Sequence, residues 1–212
     1  YAGGTLGAGL QLQSLRYTAD AVRVELEDVS LDVLPGCLLR GAVCMRDLRV
    51  GSLHVSWSGG EWRQGALQAD VRYQQFTVEV RSASIVEPEL VLRETDSADA
   101  DPGEPGILPA IALPLHLLVD DLQLIRPACD VYGARYTQDQ IGVQGQWQHS
   151  ALQLDSLVIR KRELGTLSLH GKLEFRDNWP LEADVDVNLA QPLPYSDVLG
   201  TSFELSAAGD LA

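Results

Sequence analysis

Carboxylates, histidines and cysteines are the residues of this chain that could do chemistry. Asp120-Asp121 and Asp184/Asp186 form close carboxylate pairs. Glycoside cleavage needs two such groups facing each other across a sugar cleft, one of them with a raised pKa. Asp184 and Asp186, however, continue an even-numbered series with Glu174, Glu182 and Asn188, which is the polar face that solubility alone requires. His54, His116, His149 and His170 occupy unrelated segments; His54 and His170 fall on the polar side of the local alternation, and all four read as surface or pocket-rim groups. Gly-x-Ser-x-Gly, P-loop and His-Glu-x-x-His patterns are absent from the sequence. Trp57, Trp62, Trp147 and Trp179 read as core or rim packing rather than sugar platforms. The expectation is a protein that is not an enzyme and uses no cofactor and no metal.

The chain has three cysteines. Cys129 has no nucleophile context and reads as structural. Cys37 and Cys44 enclose "CLLRGAVC", without a CxxC spacing or a nearby His to make a zinc site. Two readings stay open for this pair. One is a local disulfide in an oxidising compartment, worth about 2–3 kcal/mol for so short a loop. The other is a pair of buried thiols in a reducing one.

What positions these residues is a period of two. In "GKLEFRDNWPLEADVDVNLA" (171–190), Leu173, Phe175, Leu181, Ala183, Val185, Val187 and Leu189 are odd, while Glu174, Glu182, Asp184, Asp186 and Asn188 are even. Strands with this pattern have one apolar and one acidic face. Val22, Val24 and Leu26 give way to Val29, Leu31 and Val33 across Glu27-Asp28, and Leu48 and Val50 to Leu53, Val55 and Trp57 across Gly51-Ser52. Each slip predicts a turn or bulge that re-aims the apolar face. Further strands read at 67–73, 76–80, 84–93, 115–119, 141–147, 151–155, 156–160 and 165–175, with one possible helical turn at 35–41. Many short strands at regular spacing mean an all-β architecture. Residues 9–24 and 65–80 repeat weakly, pairing Gly9 with Gly65, Arg16-Tyr17 with Arg72-Tyr73, and Val22 and Val24 with Val78 and Val80. Such repeats tend to stack into elongated solids.

Of the 212 residues, 45% are hydrophobic and 22% charged, with a formal net charge of −14. That acidity argues against nucleic acid and against electrostatic docking on an anionic leaflet. The longest apolar stretch, "ILPAIALPLHLLV" (107–119), is broken by Pro109 and Pro114, and falls short of the roughly 20 residues a membrane helix needs. The opening on Tyr1 without Met leads us to expect a piece of a longer protein. The acidic, Pro- and Gly-rich segment 94–107 reads as a loop or linker between a first unit, 1–93, and a second, 108–212, continuous with it. It does not have the EF-hand register for calcium.

Two ordered sets of stretches carry a family resemblance. Residues 3–57, with Leu15-Arg16-Tyr17, "CLLRGAVC" (37–44) and "RDLRVGSLHV" (46–55), resemble the start of the periplasmic region of the TamB family, an AsmA-like, bridge-like lipid transfer family of Gram-negative bacteria. "LPLHLLVDDLQL" (113–124), "GQWQHSALQLDSLVI" (145–159) and residues 167–190, with Gly171 and the 177–181 cluster "DNWPL", resemble its next unit. The resemblance covers about two-thirds of the chain; residues 58–106 match poorly.

The resemblance implies an elongated, curled antiparallel sheet, a β-taco or open trough with an apolar concave lining. It also implies a periplasmic location, and an inner-membrane anchor that these residues do not include. It further implies partnership with the outer-membrane barrel TamA, and transport of phospholipid toward the outer membrane. The groove lining expected on this basis comprises Val22, Val24, Leu26, Leu117, Val143, Leu152, Leu154, Leu167, Leu169, Leu173, Phe175, Val185 and Val187, in contact with acyl chains. Some family members have cysteines matching Cys37 and Cys44, which tilts that pair toward a disulfide. An alternative role is assembly of autotransporters and other barrel proteins by strand addition at sheet edges. A plainer one is a closed sandwich whose two apolar faces meet.

Overall fold

The computed structural model describes residues 2–5, 9–19, 22–93, 112–176, 178–191 and 201–210. The segment 94–107 and Asp177 lie outside the described residues. The described residues form one sheet of seventeen strands and a single helical turn. Strands β1 (Ala2–Thr5), β2 (Gly9–Ala19) and β3 (Val22–Val33) pair antiparallel in chain order. The turn α1 (Pro35–Leu38) starts on Pro35, whose missing N–H costs a first helical turn nothing. It delivers the chain to β4 (Val43–Val50).

From there each rung consists of two strands end to end. They are β4 with β5 (Ser52–Trp57), β7 (Leu67–Gln74) with β6 (Gly60–Gln64), and β8 (Thr77–Val86) with β9 (Glu89–Leu92). The rungs β10 (His116–Ile125) with β11 (Ala128–Val131), and β13 (Gln140–Gln148) with β12 (Ala134–Thr137), continue the series. Unbroken hairpin strands β14 (Ala151–Lys161), β15 (Gly165–Glu174), β16 (Pro180–Leu189) and β17 (Ser202–Asp210) complete it. Pairing is antiparallel except at one seam, where β8 lies parallel to β10 and β9 parallel to β11. Both copies of the weak repeat are hairpins, β2–β3 and β7–β8.

A crease runs through the breaks between paired strands: Gly51, Gly65-Ala66, Glu87-Pro88, Arg126-Pro127 and Gln138-Asp139. Hydrogen bonds carry the ladder through it. Gly65 N–H donates to Val86 O (3.1 Å), Glu87 N–H to Ile125 O (2.8 Å), Ala128 N–H to Pro88 O (2.8 Å), and Arg126 N–H to Asp139 O (2.9 Å). At the seam the corner is built twice, with Glu87 and Arg126 both at φ 53° and each followed by proline. Proline has no N–H to lose at a corner, and Pro88 is fully buried.

A second bend line crosses the same strands. Between Met45 and Leu48, Val80 and Ala83, Val119 and Leu122, and Leu154 and Leu157, two polar residues stand where a regular strand has one. These are β-bulges, which bend a strand and increase its twist. Asp120-Asp121 is such a pair, so the first candidate for acid–base chemistry is a bend in β10. The neighbouring unbulged strands carry small residues on this line. A Cβ at Gly145 would meet Gln153 O at 2.4 Å, and one at Gly171 would meet Glu182 O at 2.5 Å.

The bulges correct the strand reading in three places. Residues 151–155 and 156–160 belong to one strand, 115–119 extends to Ile125, and 76–80 with 84–86 forms β8. They also correct its physical reading, because a bulge adds a residue while keeping the apolar side chains on their original face. The short strands β6, β11 and β12 were not expected at all.

Candidate functional site

The registers align apolar side chains into rows that cross the sheet. Leu122, Val143, Leu157, Leu169, Val185 and Leu205 stand side by side on β10 and β13–β17. Next to them runs Leu124, Ile141, Ile159, Leu167, Val187 and Phe203. A third row holds Leu117, Trp147, Leu152, Leu173 and Leu181, and between it and the first lie Val119, Gly145, Leu154, Gly171 and Ala183. Alternate residues of the unbulged strands β13, β15 and β16 contribute to all four rows, so the rows share one face. Across the seam they continue as Val78 with Tyr73, Val80 with Val71, Ala83 with Ala69, and Ile85 with Leu67.

Beyond the crease, Val24, Val55, Trp62, Leu90, Cys129 and Tyr136 form a further row. A pocket of about 300 Å³ lies against the crease, lined by Leu124, Ile141 and Ile159 from one side and Trp62, Leu90 and Tyr136 from the other. The crease is therefore concave toward the apolar face. None of the row side chains on β10 or β13–β17 is buried, and Leu205 is 58% exposed. The sheet is open and curled, with a half-exposed apolar lining.

Of the residues expected to line a groove, Leu117, Val143, Leu152, Leu154, Leu167, Leu169, Leu173, Val185 and Val187 fall in the four rows. Val24 lies in the row beyond the crease, Leu26 pairs with Leu53, and Val22 is 40% exposed at the start of β3. Phe175 differs: it is buried, stacked on Trp147 at 4.7 Å and edge-on to Trp179 at 4.9 Å. Sequence reading missed Leu122, Leu157 and Ile159. The signal that finds them is an apolar spacing of three across a polar pair, which marks a bulge inside a continuing strand.

The opposite face is polar and paired. Arg16, Glu25, His54, Arg63 and Glu89 stand in register on five neighbouring strands, alternating in character directly behind the Val24 row. Arg16 meets Glu25 at 2.8 Å, and Arg135 meets Glu89 at 3.0 Å. Glu61, buried on this face, receives His54 at 3.0 Å, Arg63 at 2.7 Å and Arg93 at 2.5 Å. Burial pushes its pKa up. Hydrogen bonds from His54 and Arg63, with the charges of Arg63 and Arg93, outweigh that and hold the carboxyl below its ordinary value. Hydrogen bonds from Lys172 and Arg176 hold Glu174 below its ordinary value too. Asp184 and Glu182 are exposed, and Ser206 Oγ donates to Asp184 Oδ1 at 2.7 Å. Cys37 and Cys44 are bonded, with their Cα atoms 5.9 Å apart.

The sequence profile of the TamB N-terminal domain matches residues 1–64 and, again, residues 58–212. The chain belongs to the TamB family. No curated protein sequence matches it, and no solved structure does. Membership in the TamB family supports a TamB-related role in the translocation and assembly module of the Gram-negative envelope, and the family implies association with TamA. Among the described residues no helix is long and apolar enough to cross a membrane, and no cluster of three His, Cys, Asp or Glu could hold a metal ion.

Proposed function

We propose that this part of a TamB protein conducts phospholipid between the inner and outer membranes, holding acyl chains against the apolar face while headgroups stay in water. In this reading the chain works in the periplasm, tethered by an inner-membrane anchor elsewhere in the protein, and is not an enzyme. The observation that carries it is the set of in-register aliphatic rows left half-exposed. Exposing one chain of ~16 carbons to water costs on the order of 12 kcal/mol at ~0.8 kcal/mol per methylene. A continuous aliphatic surface removes most of that cost at every point along the route. A diffuse lining of Val, Leu and Ile holds the chain about equally at each position, which favours sliding over trapping, and no bond has to be made or broken.

The test is the phospholipid recovered with the purified chain. Val185→Asp or Leu169→Arg should cut bound phospholipid at least about ten-fold while far-UV circular dichroism and chain monodispersity are unchanged. Glu182→Arg, on the opposite face of the same strand, should leave it unchanged. Equal loss from both faces removes the groove assignment. Recovery of unfolded barrel proteins in place of lipid favours the assembly role.

A further inference from the structure

The turn closed by the Cys37–Cys44 disulfide carries Arg40 to a pocket of about 400 Å³, which Arg46 of β4, Arg72 of β7 and Arg81 of β8 also line. Four arginines thus line one pocket in a chain whose net charge is −14. The side chains of Arg72 and Arg81 and the backbone at Arg40 are held by separate contacts. Glu79 bridges two of them, with Oε1 3.0 Å from Arg81 Nε and Oε2 3.6 Å from Arg72 Nη1. Gln74 accepts from Arg72 Nη2 at 2.5 Å and donates from Nε2 to the carbonyl of Arg40 at 3.4 Å, tying the turn to β7.

The pocket's own carboxylate, Asp70, accepts the Asp47 N–H at 2.9 Å. Asp32 is the cross-strand neighbour of Arg46 on β3, yet neither Arg40 nor Arg46 reaches a carboxylate among the described residues. Counting Asp32, Asp70 and Glu79 together, the positive groups still outnumber the negative ones.

We infer that this pocket binds a phosphate group, whether the phosphoryl of a lipid headgroup or a free phosphate. A planar guanidinium offers paired N–H donors that match phosphate oxygens, and Arg40 and Arg46 have theirs uncommitted to any acid. Because the Arg40 turn is held by the disulfide, the site also depends on the redox state of Cys37 and Cys44. This inference is independent of the apolar face, and its test reads no acyl chain.

The experiment follows the arginine Nε–H resonances of the whole chain by NMR at constant ionic strength. Inorganic phosphate is added in one arm and glycerophosphoglycerol, a soluble headgroup, in the other. Saturable shifts of Arg46 and Arg72 are expected in at least one arm. Response to the headgroup identifies lipid as the source, and response to phosphate alone identifies the free ion. Affinity should fall at least about ten-fold in the Arg40→Gln/Arg46→Gln double variant, whose side chains form no ion pair that folding could lose. It should fall several-fold on reduction of the disulfide, and stay unchanged in Arg160→Gln on β14. Three results would overturn the site: unsaturating shifts reproduced by chloride, undiminished binding in the double variant, or binding of an acidic peptide with no response to either phosphate compound.

Discussion

Strands β4–β9 and strands β13–β17 share one sheet and one alternation, yet close their apolar sides to different degrees. In the first region Val50, Ala69, Pro88 and Gln64 are buried, as are Glu61 on the polar reverse and Ala42 beside the disulfide-closed turn, while the remaining row side chains, Tyr73 apart, are half-buried. In the second, the buried positions are Gly145 and Phe175, and the aliphatic rows between them stay half-exposed. The difference lies in how the strands are built. In the first region each rung is broken at the crease, and β4 and β8 are bent again at the bulge line. Beyond β13 the strands run without a break. Alternation alone is thus compatible with a packed wall and with an open one. The breaks decide which it becomes.

The sharpest way to break this comparison is to place the same charge in both regions. Val50→Asp should cost at least about 3 kcal/mol in urea unfolding, because its carboxylate would have to be desolvated without a partner. Val185→Asp, on a half-exposed row, should cost under about 1 kcal/mol. Equal costs would mean that the two walls are packed alike.

Phe175→Ala should cost about 3 kcal/mol, since it empties a stack of three rings at the end of an otherwise open wall. A negligible change would make the open region uniform to its end. In the packed region, Cys37→Ala/Cys44→Ala should cost about 2–3 kcal/mol, read as a lowered midpoint in chemical denaturation.

A pH-dependent effect concerns the polar side of the packed region. Glu61→Gln should cost about 2 kcal/mol at pH 7, because Arg63, Arg93 and His54 lose a charged acceptor. The folded pKa of Glu61 lies below its unfolded value, so this stability is present above the ordinary carboxylate range. It disappears as pH falls through the folded pKa. Unfolding curves of Glu61→Gln and the parent should therefore differ at pH 7 and draw together as pH falls below the ordinary carboxylate range. A difference that does not shrink with falling pH would put packing, and not charge, at the centre of that cluster.

Much of the fold was legible in the sequence. The odd and even series of 181–189 gave the two faces of β16 outright, and Pro35 followed by Gly41 limited the helix to one turn. What escaped was the meaning of the irregularities. Two polar residues inside an apolar alternation look like a turn, yet Asp155-Ser156 and Asp120-Asp121 are bulges in continuing strands. The difference depends on whether a neighbouring strand pairs on both sides of the pair, which is not local information. The crease did leave a local trace: "SIVEPELVL" (84–92) and "QLIRPACDV" (123–131) align residue for residue on their prolines. These two segments are the parallel partners at the seam. For the site, alternation placed Leu169, Val185 and Val187 on the apolar face. It could not separate Phe175, which is distinguished only by Trp147 arriving from β13.

The central claim is that the apolar face, and not its polar reverse, meets lipid. Photocrosslinking in cells tests it most directly, with a photoreactive residue placed singly at Val143, Leu154, Leu169 and Val185, and at Asp184 and Glu174 for comparison. The account predicts phospholipid adducts at the first four positions and little at the last two. Equal labelling of both faces, or none from either, would contradict it.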